Sequence, residues 1–471
     1  MLFNSFAYLL LFLPVVTLGY IGVLKLANRR AAQGWLLFAS LFFYAYAMPS
    51  HLPILLVSII FNWAVANRIG AHTIESRKAW LWLGLAGNIV FLGCFKYVNF
   101  FLGELGVVFN IQLTVPNLDF PLGISFFTLT QVMYLVDCHQ KLNEPISLFD
   151  HASVISFFPY VSSGPIVRAG EIAPQFLEPM LADARLQLAC RGIFLLALGL
   201  AKKVIFADTF ATISDAGYAA IGELSCVEAW SFSLAYTLQI YFDFSGYSDM
   251  AVGSAWILGF SIPQNFNAPY TAKSISEFWQ RWHISLSNFI TNYLYTPILR
   301  SFSKATLKTS GVATLLAMGI AGLWHGPAWT YIVFGLLHGV ALVVNQTWKK
   351  SKRKLPGAMG WLLTFLFVNA AFVVFRSPDL GSAAKMLLTM LPHGDVLSTR
   401  ILETVVPFTL SVLLQPVVIG IALAFFGKSS WERVLVLKLD YLNALFIAAL
   451  LVVCFIFLNS STAKQFVYFA F

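Results

Sequence analysis

Gly322-Leu323-Trp324-His325-Gly326-Pro327-Ala328-Trp329 joins two long apolar runs, near 310–324 and 328–348, and places a histidine at their junction. The Gly-Pro step breaks a helix, because proline has no backbone donor and clashes with the preceding turn. The stretch therefore predicts membrane-embedded helices on either side, with His325 where the first one ends. An ionisable ring at membrane depth is costly to keep, and by default it marks a functional pathway. A helix end also exposes unpaired backbone groups that can orient a substrate. Neutral imidazole can take a proton from a hydroxyl near neutral pH. The competing reading is a hydrogen-bonded core histidine.

The rest of the chain has the same character. Of 471 residues, 59% are hydrophobic and 11% charged, where a soluble domain carries about 25% charge. Mean hydropathy is +0.76. The expected class is an all-α polytopic integral membrane protein, and continuous rather than alternating apolar runs argue against a β-barrel. Further runs lie near 5–25, 34–48, 52–67, 79–95, 121–137, 187–206, 227–244, 359–376, 407–427 and 441–459. At roughly 20 residues per span, they predict one membrane domain over 1–471 with roughly ten or more spans. Shorter pieces near 97–110, 152–164, 247–260 and 284–299 read as re-entrant or half-helices. Such pieces survive at membrane depth only where they line an enclosed cavity.

The net charge of +9 comes from short basic clusters between the runs, which is topology marking rather than nucleic-acid binding. Arg29, Arg30, Arg68, Arg77, Lys78, the cluster Lys349-Lys350-Ser351-Lys352-Arg353-Lys354, and Lys428, Arg433 and Lys438 are placed in the cytoplasm by this rule. Both termini then lie outside. The first cation is Lys25, so the first run reads as an uncleaved span. The cysteines (Cys94, Cys138, Cys190, Cys226, Cys454) show neither metal nor redox spacing. No His-Glu-x-x-His motif is present, and no metal is expected.

Several polar groups are candidates for chemistry. Ser274-Ile275-Ser276-Glu277 reads as a capping box opening a helix to about Tyr295, with Trp279, His283, Leu286 and Ile290 on one face. His283 then either points into a reaction chamber or is satisfied by a carbonyl beside interfacial tryptophans. His338 is a possible third member of the site or a core histidine. Asp243 and Asp249 end an apolar run and need partners, with Arg281, Arg300 or a histidine as the expected ones. Residues 159–168 read as a broken, cavity-lining segment. The terminal Phe466-Val467-Tyr468-Phe469-Ala470-Phe471 reads either as an interfacial anchor or as a tail presenting the Tyr468 hydroxyl inside a cavity.

Together these residues resemble the membrane-bound O-acyltransferase superfamily, and within it the bacterial alginate O-acetyltransferase branch, whose relatives serve cellulose, peptidoglycan and D-alanylated teichoic acid. The resemblance is carried by Met1-Leu2-Phe3-Asn4-Ser5, Pro121-Leu122-Gly123-Ile124-Ser125-Phe126, Gly164-Pro165-Ile166, the 241–249 stretch, Phe278-Trp279 through Ser287, and Trp324-His325-Gly326. It implies a multi-helix bundle around a central funnel, with His325 as the catalytic histidine and His283 as its companion. Asp243, Asp249, Trp324 and His338 are expected to support the site. It implies acetyl-CoA as donor from the cytoplasm, and Tyr468 as an acyl carrier toward a periplasmic acetyltransferase or polysaccharide-modifying partner. Cations that could meet the donor phosphates are Arg281, Arg300, Lys304 and Lys308.

The chain departs from the alginate branch at Thr291-Asn292-Tyr293-Leu294-Tyr295-Thr296-Pro297-Ile298-Leu299-Arg300, where an Arg-Asp pair and a glycine turn are missing, so the polymer is left unassigned. The expected function is acetyl transfer across a bacterial inner membrane for O-acetylation of an extracytoplasmic polysaccharide. The alternative is a transporter or flippase for an acyl or polysaccharide precursor, which broken helices and buried ionisable residues also suit.

Overall fold

The computed structural model describes residues 1–71, 73–111, 119–178, 180–392, 396–405, 410–460 and 466–467, and their regular elements are all helical. Seven described helices are long and apolar enough to cross a membrane: Ala7–Leu26, Pro49–Ala71, Ser76–Lys96, Leu307–His325, Trp329–Lys350, Gly357–Arg376 and Tyr441–Asn459. This is fewer than the apolar runs suggested. Ile124–His139 has only 16 residues, and Ala182–Ala201 carries Asp183, Arg185 and Arg191. The piece 247–260 is not a separate half-helix, because Cys226–Ile257 runs unbroken for 32 residues. Its polar residues lower the local hydropathy, but they do not interrupt the backbone ladder.

The chain divides into compact units, one of residues 1–196 and 248–264, the other of 197–247 and 265–471. In the first unit, Phe3, Tyr8, Phe12, Phe43 and Phe158 form a buried aromatic cluster. Ring centroids in it lie 4.7 Å (Phe3–Tyr8) and 5.1 Å (Phe12–Phe158) apart. The Tyr8 hydroxyl donates to Ser254 Oγ at 2.7 Å, which satisfies the polar end of a buried ring. Residues 157–167 are buried and non-helical, so this stretch is broken as expected. Their turns close on themselves through Val161 N–H to Phe157 O (3.1 Å) and Gly164 N–H to Tyr160 O (3.2 Å). Gly123 opens helix Ile124–His139 at φ 71°, where a side chain is strained, and a Cβ there would overlap the Val161 carbonyl.

The second unit is organised on the antiparallel pair Leu307–His325 and Trp329–Lys350. The two helices approach to backbone contact, since a Cβ at Gly335 would overlap the Met318 carbonyl and one at Gly322 the Tyr331 carbonyl. Thr306 caps the first helix, accepting from Thr309 N–H at 3.2 Å. A chain of short helices precedes the pair: Ile275–Arg281, Ile284–Phe289, the π-helical Ile290–Tyr295 and Thr296–Arg300.

Candidate active site

His325 is the last residue of helix Leu307–His325, and extended Gly326 ends the helix where the Gly-Pro step predicts. The imidazole is 5% exposed. It sits among Trp324, Phe375 and Phe334, with ring centroids 5.1, 5.3 and 6.0 Å away. These aromatic walls shield the imidazole from water and themselves carry no charge.

His283 lies in the same unit but not on the helix expected from the sequence. The Ser274 cap is present, accepting from Glu277 N–H at 3.2 Å. Glu277 instead accepts from Lys273 N–H at 2.9 Å, so the capping box is only half formed. The helix then stops at Arg281, and His283 takes a left-handed conformation at φ 43°. The cause is tertiary. Ile284 N–H donates to Asn265 O and Asn267 N–H donates to Arg281 O, both at 2.9 Å, so backbone groups that would extend the helix are spent on residues 265–267. Trp279 and His283 consequently do not share one helical face.

The same asparagine defines the protonation of His283. Asn265 Oδ1 accepts from Ser285 N–H at 3.2 Å and from Ser285 Oγ at 2.9 Å, which identifies it as the carbonyl end of the amide. His283 Nδ1, 3.1 Å from that oxygen, must then donate to it. A neutral His283 therefore presents Nε2 as an acceptor. The ring is fully buried, edge-on to Phe244 at 4.7 Å and 6.5 Å from Trp324, whose ring is in turn 5.1 Å from His325. Asn265→Ala should release this ring and lower kcat about tenfold, the loss of roughly one 1.4 kcal/mol interaction. Steady-state donor turnover in the variant checks this, with Asn265→Asp, which keeps the acceptor oxygen, expected to retain more activity.

His338 is held differently. Its Nδ1 accepts from Trp279 Nε1 at 3.2 Å, so its proton is on Nε2. Phe334 packs against His338 at 4.6 Å and against His325 at 6.0 Å. His338 is thus linked to His325 through an aromatic ring.

Asp243 does not pair with Arg281, Arg300 or a histidine. Its Oδ1 binds Lys203 Nζ at 2.6 Å, and Lys203 also binds Asp208 at 2.9 Å. Arg281 instead pairs with Glu277 at 2.9 Å on a half-exposed face. Asp249 belongs to the first unit. Arg300, Lys304 and Lys308 are exposed. Lys203, Asp208 and Asn265 were not anticipated from the sequence. Lys202-Lys203, two cations inside the apolar run near 187–206, was a usable signal for the first. Asn265 carried none.

Among the described residues no cluster of three or more His, Cys, Asp or Glu is placed to hold a metal. Two cavities flank the helix pair within the second unit. One, of about 450 Å³, is lined by Lys203, Asp243, Tyr331, Phe375, Arg376 and the tail residues Phe466 and Val467. The other, of about 370 Å³, is lined by neutral polar and apolar groups including Ser276, Gln280, Asn288, Met318, Leu342 and Gln346. Tyr468 lies outside the described residues.

The membrane-bound O-acyltransferase family model matches residues 79–377. A peptidoglycan O-acetyltransferase of Helicobacter pylori is 36% identical, over 100% of this chain and 98% of its own length. An Azotobacter vinelandii protein named "Probable alginate O-acetylase AlgI" is 35% identical, over 84% of this chain and 79% of its own. A teichoic acid D-alanyltransferase of Bacillus subtilis is 30% identical, over 55% of this chain and 69% of its own.

Proposed function

Because the chain belongs to the membrane-bound O-acyltransferase family, we propose that it moves an acetyl group from cytoplasmic acetyl-CoA across a bacterial inner membrane to an acceptor that O-acetylates an extracytoplasmic polysaccharide. The observation that carries this reading is His325 at the end of a helix pair that two cavities flank, one of them lined by Phe375, whose ring is 5.3 Å from His325. Trp329–Lys350 has 22 residues, or about 33 Å at 1.5 Å per residue. Its Lys349-Lys350 end is cytoplasmic by the positive-inside rule. The cavity reaching Leu342 and Gln346 is then the donor side, and the one at Thr330 and Tyr331 the acceptor side.

The donor cavity suits a pantetheine arm, with Ser276, Gln280, Asn288 and Gln346 for its amides and Met318 and Leu342 for its methylenes. Arg300 ends the short helix Thr296–Arg300, Lys304 lies in the loop after it and Lys308 in the first turn of Leu307–His325, and all three would meet the phosphates. His325 is about 10 Å along the helix from Met318 at 1.5 Å per residue, within reach of a thioester on that arm.

In the reaction, His325 takes the proton of the acceptor hydroxyl as its oxygen attacks the thioester carbonyl. The new C–O bond forms, the C–S bond breaks, and the proton passes to the departing thiolate. Carbonyl dipoles at the helix C-terminus favour the positive charge that develops on the ring. His283, with Nε2 as acceptor, positions an N–H donor of the bound substrates, such as a pantetheine amide, and leaves the single hydroxyl proton to His325. A tyrosine hydroxyl with its ordinary pKa near ~10 is protonated at neutral pH and needs this base.

We assign Tyr468 as the first acceptor, from which a periplasmic acetyltransferase or polysaccharide-modifying partner draws the acyl group. Incubating purified protein with acetyl-labelled acetyl-CoA tests this. Label should appear on Tyr468 and vanish in Tyr468→Phe. Absence of donor turnover with any partner protein would favour the transport reading instead.

A further inference from the structure

The Lys203–Asp243 pair is buried, both side chains being 2% exposed. With Asp208 it forms a trio of one cation and two carboxylates, whose oxygens can accept from further donors. The chain supplies one from its own C-terminal segment. Val467 N–H donates to Asp243 Oδ2 at 2.7 Å. The preceding ring, Phe466, is 2% exposed. It lies 4.7 Å beneath the Lys203 ammonium and 4.5 Å edge-on from Tyr247. Main chain and side chain of the tail are thus gripped by the same ion pair, on the wall of the 450 Å³ cavity.

We propose that Lys203, Asp243 and Tyr247 form a socket that captures the tail through Phe466 and the Val467 amide. They act as positioning residues that set the register of the residue that follows. This rests on the reading of Tyr468 as acyl carrier. Consecutive Cα atoms are about 3.8 Å apart, so a socket that holds Val467 would act on the residue that follows it through the chain itself. The socket also gives the aromatic ending a division of labour, with Phe466 as anchor and Tyr468 as carrier.

The chemistry of the grip is specific. A carboxylate accepts on both oxygens, one toward Lys203 and one toward the tail amide. An asparagine accepts on only one, so Asp243→Asn must lose one contact, while Lys203 keeps Asp208 as counter-ion. Lys202–Ala207 is a π-helical segment, a distortion frequent at functional sites, and here it carries Lys203.

The test uses the full chain with labelled acetyl-CoA and N-acetyltyrosinamide as a competing free phenol. In the unsubstituted protein, label should partition to Tyr468. In Asp243→Asn and Phe466→Ala, the ratio of Tyr468 label to free-phenol label should fall at least about tenfold, the range in which tethering raises effective concentration. General damage to the enzyme would lower both labels and leave the ratio unmoved, which would overturn the socket. Hydrogen exchange at the Val467 amide is read in parallel and should be slow in the parent and fast in both variants. If no label reaches Tyr468 in the parent but exchange responds as stated, the carrier reading fails and the socket stands. If exchange is the same in all three proteins, the socket is wrong whatever the labelling shows.

Discussion

His325→Ala should reduce acyl transfer by about 10²–10⁴-fold, the usual worth of positioned general-base assistance. The substitution removes a side chain and leaves the backbone ladder of Leu307–His325 intact. The aromatic walls from Phe334 and Phe375 remain in place around a vacated volume. The variant should therefore stay folded in the membrane, with loss confined to chemistry. Release of free thiol from acetyl-CoA measures the first transfer, and acetate content of the polymer measures the whole pathway. His325→Gln separates shape from basicity, because glutamine fills much of the same space but cannot carry the proton. Equal loss in both variants marks a proton-transfer role. Activity retained in His325→Ala would remove this residue from the mechanism.

Lys203→Met is expected to have the largest effect on stability. It leaves Asp208 and Asp243, 8% and 2% exposed, facing each other without their shared cation. Breaking a buried pair by removing one partner costs about 3–5 kcal/mol, because an uncompensated charge remains buried. Thermal unfolding of the detergent-solubilised variant should show this as a clear drop in midpoint. Adding Asp243→Asn to Lys203→Met removes one of the stranded charges and should recover part of the loss. A single variant as stable as the parent would mean that the trio is hydrated or only weakly coupled. Because Lys203 also faces Phe466, this measurement is kept apart from the tail experiment, in which the ion pair with Asp208 is preserved.

The family expected from the sequence is the one to which the chain proves similar along its whole length. The position of His325 at a helix end was equally legible, since the Gly-Pro step acts on the residues beside it. The Ser274 cap was read correctly for the same reason. The expectation of one helix through Tyr295 failed at His283. Apolar periodicity holds on both sides of that residue, but it carries no information about backbone partners elsewhere.

Composition and apolar runs alone determined that this chain is an all-α membrane protein, because lipid leaves helices as the only solution for such runs. Local chemistry then determined where helices start and stop, wherever the stopping signal is itself local. Only the tertiary structure decided how buried polar groups are satisfied. His283 meets Asn265 across 18 positions, Lys203 meets Asp243 across 40, and Val467 meets Asp243 across 224. Propensity and capping act within a turn or two of chain, whereas a buried charge takes whichever partner the packing brings to it. His325, the proposed base, was therefore visible in the sequence at its helix end, while the tautomer of His283 and the contact of Asp243 with Val467 emerged only when distant segments met.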